Sequence, residues 1–158
     1  MELIRKLLFN MDKKFYVSLE AAKLLKEKGY NEQCEYCFYY DDYHDKWDYD
    51  SPYNLFDDDP MYYNNETIDD EMYSMPTKAE AIDWLERKGI VIELRYDNDE
   101  LQKDDSEWIY YIYQYDNEGR LDETVSSWAG DNYYKTRLEA EDAAIIKALE
   151  ILNTRPTF

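Results

Sequence analysis

The chain has 158 residues, a length that holds one sizeable core but not two. Hydrophobic residues make up 44% and aromatics 17%, too much buried-type surface for a disordered chain. The net charge of −19 weighs against contact with nucleic-acid phosphates or an anionic membrane surface and favours basic partners. That charge is unevenly spread. Residues 1–33 hold seven basic and five acidic residues (+2), residues 34–75 one and thirteen (−12), and residues 76–158 ten and nineteen (−9).

The first residues, MELIRKLLFNMDKK, do not read as a targeting segment, because Arg5 and Lys6 interrupt the apolar run and no small-residue cleavage site follows. No stretch approaches the roughly 18 apolar residues of a membrane span. The expected location is therefore cytoplasmic, with both cysteines reduced. Ser18 precedes LEAAKLLKEKG, in which Ala21, Leu24 and Leu25 form an apolar stripe and Gly29 supplies a left-handed stop, so a helix is expected over Leu19 to Lys28. Cys34 to Asp41, rich in Tyr and Phe, suits a half-buried strand. An acidic, tyrosine-rich insert then runs over about residues 42–75 and includes Pro52, Pro60 and Asn64-Asn65.

Thr77 and Glu80 have capping-box spacing ahead of AEAIDWLERKG, predicting a helix over Lys78 to Lys88 that Gly89 ends. Ile90, Ile92, Leu94 and Tyr96 alternate with more polar residues, as in a strand with one buried face. Trp108 to Tyr115 carries large residues on both faces, predicting a central strand with helices on one side and tyrosines on the other. Asp116-Asn117-Glu118-Gly119 is turn-like, Leu121 to Ser127 reads as the returning strand, and Thr136 with Glu139 caps a helix over Arg137 to Leu152. The expected fold is a single α+β domain over residues 1–158. It has a small, mostly antiparallel sheet of three or four strands and about three helices, in the order αβ then αβββα. The predicted core is Leu25, Ile82, Leu85, Ile92, Leu94, Ile109, Ile112, Ile145 and Leu149.

The αβββα order of the second half resembles that of double-stranded RNA-binding domains, and EAEDAAIIKALEIL resembles their last helix. Their cationic helix start is what holds phosphates, whereas here Lys135 and Arg137 are followed by Glu139, Glu141 and Asp142. The likeness is therefore one of architecture alone. SLEAAKLLKEKGY with a nearby CEYC, MPTKAEAIDWLERKGI and the terminal EAEDAAIIKALEIL together resemble small proteins, of no established activity, from Bacteroidota genomes and their phages or mobile elements. This resemblance spans both ends and the middle helix but not the acidic insert. It implies a genomic setting and no catalytic residues.

Cys34 to Asp50 concentrates the chemically interesting side chains: both cysteines, the single histidine and six carboxylates. Cys34, Cys37 and His44 are candidate zinc ligands, but a second CxxC is lacking and the fourth ligand would have to be a carboxylate. Redox chemistry would need Cys34 at a helix start, whereas a strand follows. The reading is two half-buried structural thiols, with no metal and no cofactor. His44 sits among Asp41, Asp42, Asp45 and Asp48, which favour a cationic ring and oppose general-base action. No GxSxG, P-loop or GxGxxG occurs. Asp57-Asp58-Asp59 and Asp69-Asp70-Glu71 lack the spacing of an EF-hand loop.

What remains is a pattern of acids and rings. In Trp47-Asp48-Tyr49-Asp50, an extended backbone sends rings to one face and carboxylates to the other. The sequence therefore points to a non-enzymatic binding protein that docks a basic protein surface, including by imitation of nucleic acid. Its candidate contact residues are Asp41, Asp42, Asp45, Asp48, Tyr49, Asp50, Tyr53, Asp57, Asp58 and Asp59. Two alternatives are a small carboxylate-dependent hydrolase and a structural or assembly component of a phage or element.

Overall fold

A computed structural model of the chain describes residues 13–51, 64–66, 68–97, 107–116, 118–130 and 132–152. Its backbone divides into two units, Met1–Thr77 and Lys78–Phe158. Among the described residues, the α+β class, the three α-helices and the antiparallel pairing match the sequence reading. The strands are shared between two three-stranded sheets, where periodicity had gathered them into one. The difference comes from the acidic insert, which contributes two strands of its own.

In the first unit, α1 spans Leu19–Glu27. Ser18 stays extended, and its Oγ accepts from the Ala21 N–H at 3.3 Å. The helix ends in a Schellman motif: the Gly29 N–H donates to Lys26 C=O and the Tyr30 N–H to Leu25 C=O. Gly29 takes φ +83°, a conformation that costs a side-chain-bearing residue more than it costs glycine. Leu25 and Tyr30, which flank this motif, are fully buried. Strands β1 (Cys37–Asp41), β2 (Lys46–Asp50) and β3 (Tyr73–Ser74) form a sheet in the order β2-β1-β3, and α1 packs beside β3.

In the second unit, α2 (Lys78–Arg87) leads into β4 (Ile90–Asp97), β5 (Glu107–Tyr115) and β6 (Leu121–Ser126), followed by α3 (Arg137–Ile151). Central β5 pairs antiparallel with both neighbours, with Ile92 opposite Ile112 and Leu94 opposite Tyr110. Both helices lie over the face that carries Ile90, Tyr110 and Ile112. The other face presents Tyr111 and Tyr113, whose rings stack, together with Glu93, which accepts from Arg95 Nε at 2.8 Å and from the Tyr113 hydroxyl at 3.0 Å. The capping box expected at α3 is present in both directions between Thr136 and Glu139. Lys135 pairs with Glu107, and the Arg137 guanidinium lies 6.0 Å from the Trp108 ring, so both cations at the helix start are engaged within the unit.

Of the predicted core, Leu25, Leu85, Ile109, Ile112, Ile145 and Leu149 are buried, while Ile82, Ile92 and Leu94 are half-buried. Ile92 and Leu94 lie on β4, an edge strand of its sheet, which leaves them partly uncovered. On α2 the buried stripe runs through Lys78, Ala81, Trp84 and Leu85, which turns Ile82 to its margin. Lys78 is tolerated there because its Nζ donates to the Leu138 C=O at 2.8 Å. Leu149→Ala should destabilise the protein by about 3 kcal/mol through the cavity it leaves. Thr136→Ala, which removes only the cap, should cost about 1 kcal/mol. Urea unfolding monitored by circular dichroism measures both, and equal losses would contradict this division between core and cap.

Candidate functional site

The register of the first hairpin decides where its charged side chains go. Phe38 lies opposite Tyr49, Tyr40 opposite Trp47, Tyr39 opposite Asp48 and Cys37 opposite Asp50. Directly opposed residues share a face, so Phe38, Tyr40, Trp47, Tyr49 and the β3 residue Tyr73 project to one side. Asp41, Lys46, Asp48 and Asp50 project to the other, together with Tyr39 and Cys37. The rings contact one another edge-on or tilted, with centroids 5.5 Å apart for Tyr40–Trp47 and 5.6 Å for Trp47–Tyr73.

Lysines cap this aromatic layer. Lys23 Nζ lies 4.8 Å from the Trp47 ring centroid and 5.7 Å from that of Tyr73, Lys26 lies 5.4 Å from Tyr73, and Lys13 lies 4.6 Å from Tyr49. Lys26 also donates to three backbone carbonyls: Asp69 at 3.1 Å, Asp70 at 3.0 Å and Met72 at 2.8 Å. It thereby ties the end of the insert to α1. Sequence reasoning did not detect these roles, although the spacing of Lys23 and Lys26 puts both on one side of the helix.

The candidate contact residues separate as follows. Asp41, Asp48 and Asp50 are half-buried on the carboxylate face, and Asp42 and Asp45 are exposed in the connecting turn. Tyr49 belongs to the opposite, ring-bearing face. Tyr53, Asp57, Asp58 and Asp59 lie outside the described residues. Asp41 also organises the turn: its Oδ1 accepts from the Tyr43 N–H at 3.0 Å, and its Oδ2 lies 2.6 Å from His44 Nδ1. The hydrogen bond with His44 holds the Asp41 carboxyl below the usual carboxylate range. Asp45 takes φ +50°, within the left-handed region that Asp tolerates better than most residues, and accepts from the Tyr40 hydroxyl. Tyr43, at the tip, is 91% exposed. Lys46 Nζ pairs with Asp48 at 3.1 Å, so the face carries one cation among its acids.

Cys34 and Cys37 are both buried, and neither is in a disulfide. Burial first, and then the neighbouring Cys34 and Asp50, push the Cys37 thiol up to about 12. His44 lies beyond Asp41, at the far end of the strand that Cys37 begins, so the hairpin does not bring it to the cysteine pair. Among the described residues no three His, Cys, Asp or Glu side chains converge as a metal site would need, and no helix is long and apolar enough to cross a membrane.

Two outcomes test this arrangement. Lys26→Met should destabilise the protein by about 2 kcal/mol, since it removes charged hydrogen bonds to three carbonyls. Unchanged denaturant stability would contradict the tie. At mildly alkaline pH the native protein should resist iodoacetamide at Cys37, and both cysteines should react once the chain is unfolded. Mass spectrometry showing rapid native labelling of Cys37 would contradict the burial. No protein-family model, curated protein or solved structure matches the chain.

Proposed function

We propose that the protein is a non-enzymatic binding protein whose hairpin docks a basic protein surface through its carboxylate face. The observation that supports this most directly is the pairing register, which sends Asp41, Asp48 and Asp50 to one side and the rings that brace them to the other. Carboxylates held by a packed strand lose less ordering entropy on docking than freely moving ones. With Asp42 and Asp45 in the adjoining turn, five aspartates stand against the single Lys46. The resemblance to proteins of Bacteroidota phages and mobile elements suits a partner of host or element origin.

Imitation of duplex DNA makes a stricter demand. A strand presents same-face carboxylates about every 6.7 Å, whereas a duplex carries about one charge per 1.7 Å of axis. Close imitation would require further carboxylates in line with the hairpin row. A basic protein patch, whose charges are more widely spaced, is the better fit to Asp48 and Asp50 alone.

Affinity capture from a Bacteroidota lysate at low salt, with the parent and the Asp41→Asn/Asp48→Asn/Asp50→Asn variant in parallel, tests this reading. The parent should retain a basic protein that elutes as salt rises. The neutralised variant should bind that protein about tenfold more weakly, which is the loss expected of a few partly exposed ion pairs. Equal retention of the same protein by both, with thermal unfolding unchanged, would overturn the reading.

A further inference from the structure

The sheet of the second unit ends on β6, and this edge is built differently from the hairpin. The Asp116 N–H donates to the Arg120 C=O at 2.8 Å, and the Ser127 N–H to the Tyr110 C=O at 2.9 Å. Both ends of β6 are therefore laced to β5 on one side. Alternate backbone N–H and C=O groups between them point away from β5. Among the described residues β6 has no second strand partner. Leu121, Asp122, Glu123 and Thr124 are all exposed.

Natural edges of this kind are usually blunted by charged side chains, lysine above all, by proline, by a bulge or by a covering element, because they template pairing with another chain, so the acids of β6 leave it open only to a strand of opposite charge. β6 has neither lysine nor proline. Its pairing with β5 shifts register between Ile112 and Tyr113, which makes Thr124 a bulged residue and confines the regular exposed edge to Leu121 to Glu123. Charge then decides which strand fits. Asp122 stands opposite Gln114 and Glu123 opposite Tyr113, so consecutive carboxylates project from the two faces of the edge. A second copy of β6 paired here would set like charges against each other, whereas consecutive cations on an incoming strand would meet both carboxylates.

We propose that β6 is a docking edge for an extended basic segment of a partner protein, which adds as a fourth strand to the β4-β5-β6 sheet. Backbone pairing supplies the affinity, and Asp122 with Glu123 select a strand bearing adjacent lysines or arginines. The site lies outside the hairpin and stands independently of the reading given above.

The test uses the full chain and a short fluorescent peptide with a central Lys-Lys pair in a proline-free Val/Thr sequence. At low salt the peptide should bind, and hydrogen exchange should slow at amides within residues 121–126. N-methylation of alternate peptide nitrogens should weaken binding at least about tenfold, as expected for the loss of one or two backbone hydrogen bonds. Asp122→Lys with Glu123→Lys, both exposed and so compatible with folding, should do the same. The hairpin variant Asp41→Asn/Asp48→Asn/Asp50→Asn should bind the peptide as the parent does. Absence of binding, equal binding of the N-methylated peptide, exchange protection outside β6, or loss of binding in the hairpin variant would each overturn the proposal.

Discussion

The two-residue period of the β1–β2 hairpin is the constraint on which the candidate surface depends. Because successive side chains alternate between faces, one register assigns every ring and every carboxylate at once, and a slip of one residue would exchange them. The observed register packs Phe38 with Tyr49 and Tyr40 with Trp47, and leaves Asp48 and Asp50 on the opposite side. The contacts of these rings with one another and with the lysines above them therefore specify the position of the charges. Asp41 secures the turn between the strands through its contacts with Tyr43 and His44.

The lysines explain how so acidic a chain tolerates this arrangement. Lys13, Lys23 and Lys26 come from the one cationic part of the sequence, and each lies over an aromatic ring of the first unit. Each such contact contributes about 0.5–1 kcal/mol when exposed, and Lys26 adds its three carbonyl contacts. These cations stabilise the ring side of the sheet. Among the described hairpin residues, Lys46 is the one cation placed on the carboxylate side, where it meets Asp48. The charge asymmetry along the chain thus becomes an asymmetry between the two faces of one sheet.

The parts of the fold that were legible in the sequence are those with strong local grammar. Ser18 and Gly29 bracket α1, Thr136 and Glu139 open α3, and alternation from Ile90 to Tyr96 marks β4, each within a residue or two of the observed boundary. β2 was visible only as a conditional alternation in Trp47-Asp48-Tyr49-Asp50. Its pairing with β1 depends on a turn closed by Asp41 and Asp45 rather than by glycine. β3, only two residues long, carries no periodicity to read. The edge position of β6 was equally hidden, because it is a property of the whole sheet and not of residues 121–126.

Cross-strand nuclear Overhauser effects in the hairpin report the β1–β2 register itself. Backbone contacts should link Phe38 with Tyr49, Tyr39 with Asp48 and Tyr40 with Trp47, alongside side-chain contacts between the Trp47 ring and the Lys23 methylenes. Pairing displaced by one residue, so that Asp48 opposes Phe38 or Tyr40, would carry the carboxylates to the ring face and contradict this register.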